Sequence, residues 1–151
     1  MTKHEEDSSL QRLRKLTEEL TNPEHSPTLT TDHFLRELIS NLPFMAWVKE
    51  VGSWKFVYTN DFFCEWFQVT QQQVLGATDR VLFDDPSFDE MTSKYRLDDE
   101  WVASHMIPLR AEETVNLKSG PQRVVTFKVP IILGDEKYVG GVAIVISSKG
   151  N

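Results

Sequence analysis

The chain has 151 residues, 40% of them hydrophobic, enough for one sizeable core and too few for two ordinary domains. Its net charge of −7 argues against a nucleic-acid partner, because displacing counterions from phosphate takes a basic face. No apolar run approaches the roughly 20 residues that span a bilayer, so no membrane partner is expected either. The single cysteine, Cys64, excludes an intramolecular disulfide, and the polar, acidic N-terminus lacks the apolar stretch of a signal peptide, which points to the cytoplasm.

In chain order, residues 1–30 read as an N-terminal helix and linker. Ser8-Ser9-Leu10-Gln11 is a capping box opening LQRLRKLTEEL, where Leu10, Leu13, Leu16 and Leu20 recur at helical spacing. A helix this short is marginal alone, so the leucine stripe is expected to be covered by the domain or by a second copy. Asn22-Pro23 and Ser26-Pro27 make the linker. A domain follows over residues 31–148, with 149–151 as a tail. Its first helix starts near Thr31 or Asp32, presents Phe34, Leu35, Leu38, Ile39 and Leu42 on one face, and stops at Pro43.

Phe44–Lys49 reads as a buried strand and Trp54–Thr59 as its hairpin return, with Trp54, Phe56 and Tyr58 on one side. Asn60 is suited to cap a short helix whose Phe62, Phe63, Trp66 and Phe67 form an aromatic face. Thr70 and Gln73 frame a second capping box, closed by Gly76. A third, Ser87-Phe88-Asp89-Glu90, opens a long helix to about Ser104 that turns Met91, Tyr95, Trp101 and Val102 to the core. Pro108 marks its exit. The last third is strand territory, near 109–117, 122–132 and 137–147, with turns at Ser119-Gly120-Pro121 and Gly134-Asp135. Val125, Phe127 and Val129 share one face, and both parities of the last strand are apolar or small, so something is expected to cover the back of the sheet. The class is α+β.

This order, with its punctuation, resembles the PAS domain family over about Leu38 to Ser148. The residues that carry the resemblance are Leu42-Pro43, Asn60, Leu75-Gly76, Thr78-Asp79, then Tyr95, Asp99 and Val102 in the long helix. Glu112 or Glu113 opens the third strand, and Lys128-Val129-Pro130 and Gly140-Gly141-Val142 complete the set. The likeness is closest to the bacterial signalling branch, and implies a five-stranded antiparallel sheet in the order 2-1-5-4-3 with helices enclosing a pocket on one face. Two departures stand out. Val81 replaces the family's frequent Asp after the Thr-Asp pair, and Ile146-Ser147-Ser148-Lys149 replaces its frequent Asp-Ile-Thr.

The chemistry-bearing residues are sparse. Cys64 sits in an aromatic helix away from cations and reads as inert core. The resemblance implies that a cysteinyl-flavin adduct needs a cysteine where residues 78–83 read Thr-Asp-Arg-Val-Leu-Phe, so that adduct is not expected. A haem would need an axial histidine on the long helix, and His105 falls at or past its end. No cofactor is specified and no metal spacing occurs. The pairs Asp84-Asp85 and Asp98-Asp99 read as solvated acidic surface.

A pocket remains, which Trp47, Phe56, Tyr58, Phe63, Phe67, Tyr95, Trp101, Val125, Phe127 and Ile144 are expected to line, unless they simply pack a core. A homodimer is expected through Leu10, Leu13, Leu16 and Leu20 and the back face of the first and last strands, with Val139, Ala143 and Val145. The reading is a non-catalytic sensory or interaction module of bacterial signal transduction, acting through a small ligand, a second copy or a signalling partner. The alternative is a small isomerase or lyase using a buried carboxylate, for which Glu113 is the best candidate, although Glu112 and Asn116 beside it predict a polar edge and an exposed side chain.

Overall fold

The structure is a computed structural model that describes residues 31–83 and 85–146, together with Gln11, Arg14 and Lys15. The leucine stripe Leu10, Leu13, Leu16 and Leu20 lies outside the described residues. The chain divides into two compact units, one ending at Pro43 and one beginning at Phe44. The first contains helix α1 (Thr31–Ser40). Asn41 follows it and donates from Nδ2 to the Glu37 carbonyl at 2.7 Å, occupying an acceptor that the helix end leaves open.

The second unit is a five-stranded antiparallel sheet in the order β2-β1-β5-β4-β3. Its strands are β1 (Met45–Glu50), β2 (Phe56–Thr59), β3 (Leu109–Leu117), β4 (Gly120–Leu133) and β5 (Glu136–Val145). Between β2 and β3 lie α2 (Asp61–Phe67), α3 (Gln71–Val74), 3₁₀ turns at Asp79–Leu82 and Pro86–Phe88, and α4 (Asp89–His105). This is the strand order that the resemblance implied.

Local chemistry explains the boundaries. Asn60 accepts from the Phe63 amide at 2.9 Å to cap α2, and also accepts from the Ala46 amide and donates to the Phe44 carbonyl, so one buried side chain ties β1 to the helix start. Thr70 and Gln73 form the expected capping box on α3. The box expected at Ser87 is not made: Asp85 accepts from the Ser87 amide at 2.8 Å and caps the 3₁₀ turn, and α4 begins only at Asp89. Gly134, at φ +62, opens the β4–β5 turn with the positive φ that a type II′ turn needs first.

Register decides which side chains face inward. Met45 pairs with Ala143, Trp47 with Gly141 and Lys49 with Val139, while Val124, Thr126 and Lys128 pair with Val145, Ala143 and Gly141. With a period of two, these residues share one face. Phe56, Phe63, Phe67, Val74, Leu82, Phe83 and Tyr95 pack with Met45, Val115, Val124 and Ala143 in the main core, so this is the helix-covered face. A smaller cluster joins Trp54, Val102 and Val139.

Three expectations are corrected here. Trp54, Phe56 and Tyr58 do not alternate along one side, because the register shifts between Val48 and Lys49: Phe56 pairs with Lys49 on the inner face, and Tyr58 with Val48 on the outer one. Val125, Phe127 and Ile144 alternate out of phase with Val124, Thr126 and Ala143 and therefore lie on the outer face, where Phe127 is 38% and Ile144 39% exposed. Conversely Val139 and Ala143, expected at a dimer contact, are buried on the inner face, and Val145 shares their parity. In β4 and β5 parity groups the residues correctly and leaves open which group faces in, whereas in β2 the register shift breaks the grouping itself.

A cavity beside a buried ion network

Four charged side chains meet inside the second unit. Lys49 Nζ of β1 donates to Asp79 Oδ2 at 2.7 Å and to Asp99 Oδ2 at 2.6 Å. Lys128 Nζ of β4 donates to Asp99 Oδ1 at 2.7 Å and to the Tyr95 carbonyl at 3.1 Å. Asp79 sits in a 3₁₀ turn and Asp99 on the inner side of α4, so the network joins two strands, a turn and the long helix. Lys49, Lys128 and Asp99 are at most 3% exposed.

Burying an ion costs several kcal/mol, which is offset only when partners and further hydrogen bonds are in place. Here two ammoniums face two carboxylates, Asp99 uses both oxygens, and the charges sum to zero. The ammoniums also lie over aromatic faces, Lys49 5.2 Å from the Phe56 centroid and Lys128 5.7 Å from that of Tyr95. Burial acts to lower the Lys49 pKa, but Asp79 and Asp99 outweigh it and hold the ammonium above its ordinary range. Burial pushes the Asp79 carboxyl up, against the pull of Lys49.

A cavity of about 40 Å³ adjoins this network. Its walls include Trp47, Phe56, Phe63, Phe67 and Tyr95, five of the residues expected there, together with Lys49, Asp79, Thr126 and Lys128. Tyr58, Val125, Phe127 and Ile144 are absent from the lining because they point to the other side of the sheet. Trp101 is absent too: it is 40% exposed on α4, with the His105 ring stacked on it at 4.5 Å. Trp101 follows Tyr95 by six positions, whereas helical neighbours on one face lie three or four apart, and Asp99 and Val102 take the inward positions instead.

Glu113 corrects a further expectation. Its side chain is only 10% exposed and lines the cavity, because it pairs with Val124 on the inner parity of β3. It accepts from Thr126 Oγ1 at 2.7 Å and from Lys94 Nζ at 3.2 Å, so each oxygen already has a donor. Cys64 is half-buried, with Sγ 3.6 Å from Thr59 Oγ1, and burial raises its thiol pKa, which keeps it unreactive.

Two residues that line the cavity carry a polar atom with no partner among the described residues. Trp47 Nε1 and the Tyr95 hydroxyl are buried without a hydrogen bond among the described residues. Burial, then the nearby Glu113 and Asp79 charges, drives the Tyr95 pKa far up, so the phenol stays protonated. Trp47 is held across Gly141: a Cβ at residue 141 would lie 2.4 Å from Trp47 Cζ2. The sequence did not expose the ion network, although Asp79, Asp99 and Lys128 are all among the residues that carry the family resemblance. Lys49 gave no signal, being the last residue of an apolar run.

Strand order, helix placement and the pocket between them define a PAS-type fold. The PAS domain of Bordetella pertussis BvgS superposes with a TM-score of 0.64 at 25% identity, over 77% of this chain and 86% of that one. A PAS domain of an HTR-like protein from Haloarcula marismortui gives 0.56 at 20% identity over 91% of this chain and 99% of that one. Vibrio cholerae VqmA, solved as a complex with ligand and DNA, gives 0.63 at 18% identity over 80% of this chain and 52% of the VqmA chain, about half its length. No protein-family model and no curated protein matches the chain. The fold is that of a sensory domain module.

Proposed function

We propose that this chain is a non-catalytic sensory module of bacterial signal transduction, working in the cytoplasm. It binds a small ligand in the cavity and passes the signal on through a homodimer or a signalling partner. The observation that carries this reading is that two residues lining one cavity, Trp47 and Tyr95, each carry a buried polar atom, Nε1 and the hydroxyl, with no partner among the described residues. An unmet buried hydrogen-bonding group costs about 1–3 kcal/mol, and a ligand that meets it recovers that energy.

Transmission follows from the same geometry. Tyr95 and Asp99 sit on α4, while Trp47, Lys49 and Lys128 sit on the central sheet, so an occupant touching both biases how the helix rides on the strands. A ligand shifts such an equilibrium only by its differential affinity for the two packings. The outer face offers the output surface. Phe127, Val129 and Ile144 are each 38–40% exposed there and form an apolar patch of the kind that marks association. The leucine stripe at Leu10, Leu13, Leu16 and Leu20 is assigned to the same dimer.

Native mass spectrometry of the purified chain tests both parts in one spectrum. A dimer carrying a defined extra mass is the expected result. A bare monomer at micromolar concentration removes both the dimer and the co-purifying ligand. Replacing Leu13 and Leu20 with Asp should give a monomer in sedimentation, and a dimer that survives dismisses that stripe as interface.

A further inference from the structure

Size, charge and hydrogen-bonding pattern together narrow what the cavity accepts. Pockets for drug-sized ligands measure about 300–1,000 Å³, and this one measures about 40 Å³. Neither a flavin nor a haem fits between these side chains as they stand. A water needs about 10–15 Å³ of such space, so the volume holds about three or four heavy atoms.

Charge narrows the choice further. The two lysines and two aspartates beside the cavity already neutralise one another at 2.6–2.7 Å, and Glu113 has Lys94. An ionic ligand would add an uncompensated charge to a site with no counterion to spare, at a cost of several kcal/mol. An uncharged ligand meets no such penalty. The two unmet groups set the polarity: an indole N–H only donates, and the Tyr95 phenol has a proton to donate. Met45, Phe63, Phe67 and Leu82 supply apolar wall for the remaining atoms.

Resting on the sensory reading above, we propose that the cavity binds an uncharged molecule of about three or four heavy atoms, with an oxygen or nitrogen that accepts hydrogen bonds from Trp47 Nε1 and the Tyr95 hydroxyl. Small ketones, aldehydes and amides have this chemistry, and carboxylates of the same shape do not. Trp47 and Tyr95 act as the specificity-determining pair. Gly141 is the positioning residue, because a side chain there would displace the Trp47 indole that lies across it.

The experiment is an indole-region ¹H–¹⁵N NMR titration of the whole chain with acetone and with acetate, which match in shape and differ in charge. Trp47→Phe identifies the Trp47 cross-peak among those of the 4 tryptophans. Acetone should shift that cross-peak downfield and saturably, and acetate at equal concentration should leave it in place. Tyr95→Phe, which removes only the oxygen, should weaken acetone at least threefold, and Gly141→Ala should abolish the shift by displacing the indole. A shift with acetate equal to or larger than that with acetone overturns the uncharged assignment and leaves the sensory reading standing. If neither probe moves the cross-peak but native mass spectrometry finds a heavier bound compound, the size assignment falls and the sensory reading survives. If neither probe nor any co-purifying mass is found, the cavity is simply hydrated and both fall.

Discussion

Over residues 126–129 of β4 the two faces of the sheet are inverted relative to common expectation. Along four consecutive residues of β4, Thr126 and Lys128 turn inward and are at most 3% exposed, while Phe127 and Val129 turn outward and are 38% and 40% exposed. A lysine is inside and a phenylalanine outside because burial follows partners as well as hydropathy. Lys128 has a carboxylate at 2.7 Å and a carbonyl at 3.1 Å brought by α4. Phe127 pairs across the sheet with Arg110 and Val142 and stays 38% exposed. A charged inner face is tolerated when other elements deliver counter-charges, and an apolar outer face makes sense for a surface meant to be covered.

The sharpest way to break this comparison is to remove the shared counter-charge. Asp99→Asn leaves Asp79 on Lys49 and strips Lys128 of its carboxylate partner, and should cost about 3–5 kcal/mol in urea unfolding. A loss under about 1 kcal/mol would mean that water reaches the network. The complementary variant replaces all four members with apolar side chains: Lys49→Met, Asp79→Leu, Asp99→Leu and Lys128→Met. It should match the parent or gain about 1–4 kcal/mol, showing that the network specifies arrangement more than it stabilises. If it fails to fold while each element retains its propensity, the ions are needed for the fold itself.

pH sharpens the contrast with a smaller effect. The Lys49 pKa is raised in the folded state above its ordinary 10.5, so the stability it contributes is fully present below pH 10.5 and is lost as pH rises through the folded value. The difference in unfolding midpoint between the parent and Lys49→Met should therefore be flat from pH 7 to 10 and shrink above 10.5. Asp79 is raised above 3.8 for the opposite reason, burial. Folding binds its proton more tightly than the unfolded chain does, so acidification through its folded pKa gains stability from this group rather than losing it. The smallest effect belongs to the outer face. Val129→Ser should change monomer stability by about 1 kcal/mol or less while shifting the sedimentation profile toward monomer. A large loss of monomer stability with no change in sedimentation would show the face to be packed within the chain.

Much of the architecture was legible from local rules. Asn60 announced a cap, Thr70 and Gln73 a capping box, and Gly134 a tight turn, since each is a chemical demand met within a few residues. The strand runs and their order followed from period and family resemblance. What escaped was whatever depended on a distant partner. The register shift at Val48/Lys49 moved Tyr58 to the outer face, and no local signal marks it. Glu113 looked like edge and is a cavity wall, because Thr126 across β4 and Lys94 on α4 supply its donors.

The sequence by itself determined the strands and helices of the second unit, the caps at Asn60 and Thr70 and the grouping of side chains by parity in β4 and β5, because those depend on backbone geometry and neighbours within one turn or one strand. Only the tertiary structure decided which parity is buried. On the buried side it brought together Lys49, Asp79, Asp99 and Lys128, up to 79 residues apart in the chain, at 2.6–2.7 Å. Coulomb attraction strong enough to offset desolvation exists only at that contact distance, and contact distance is a property of the folded chain.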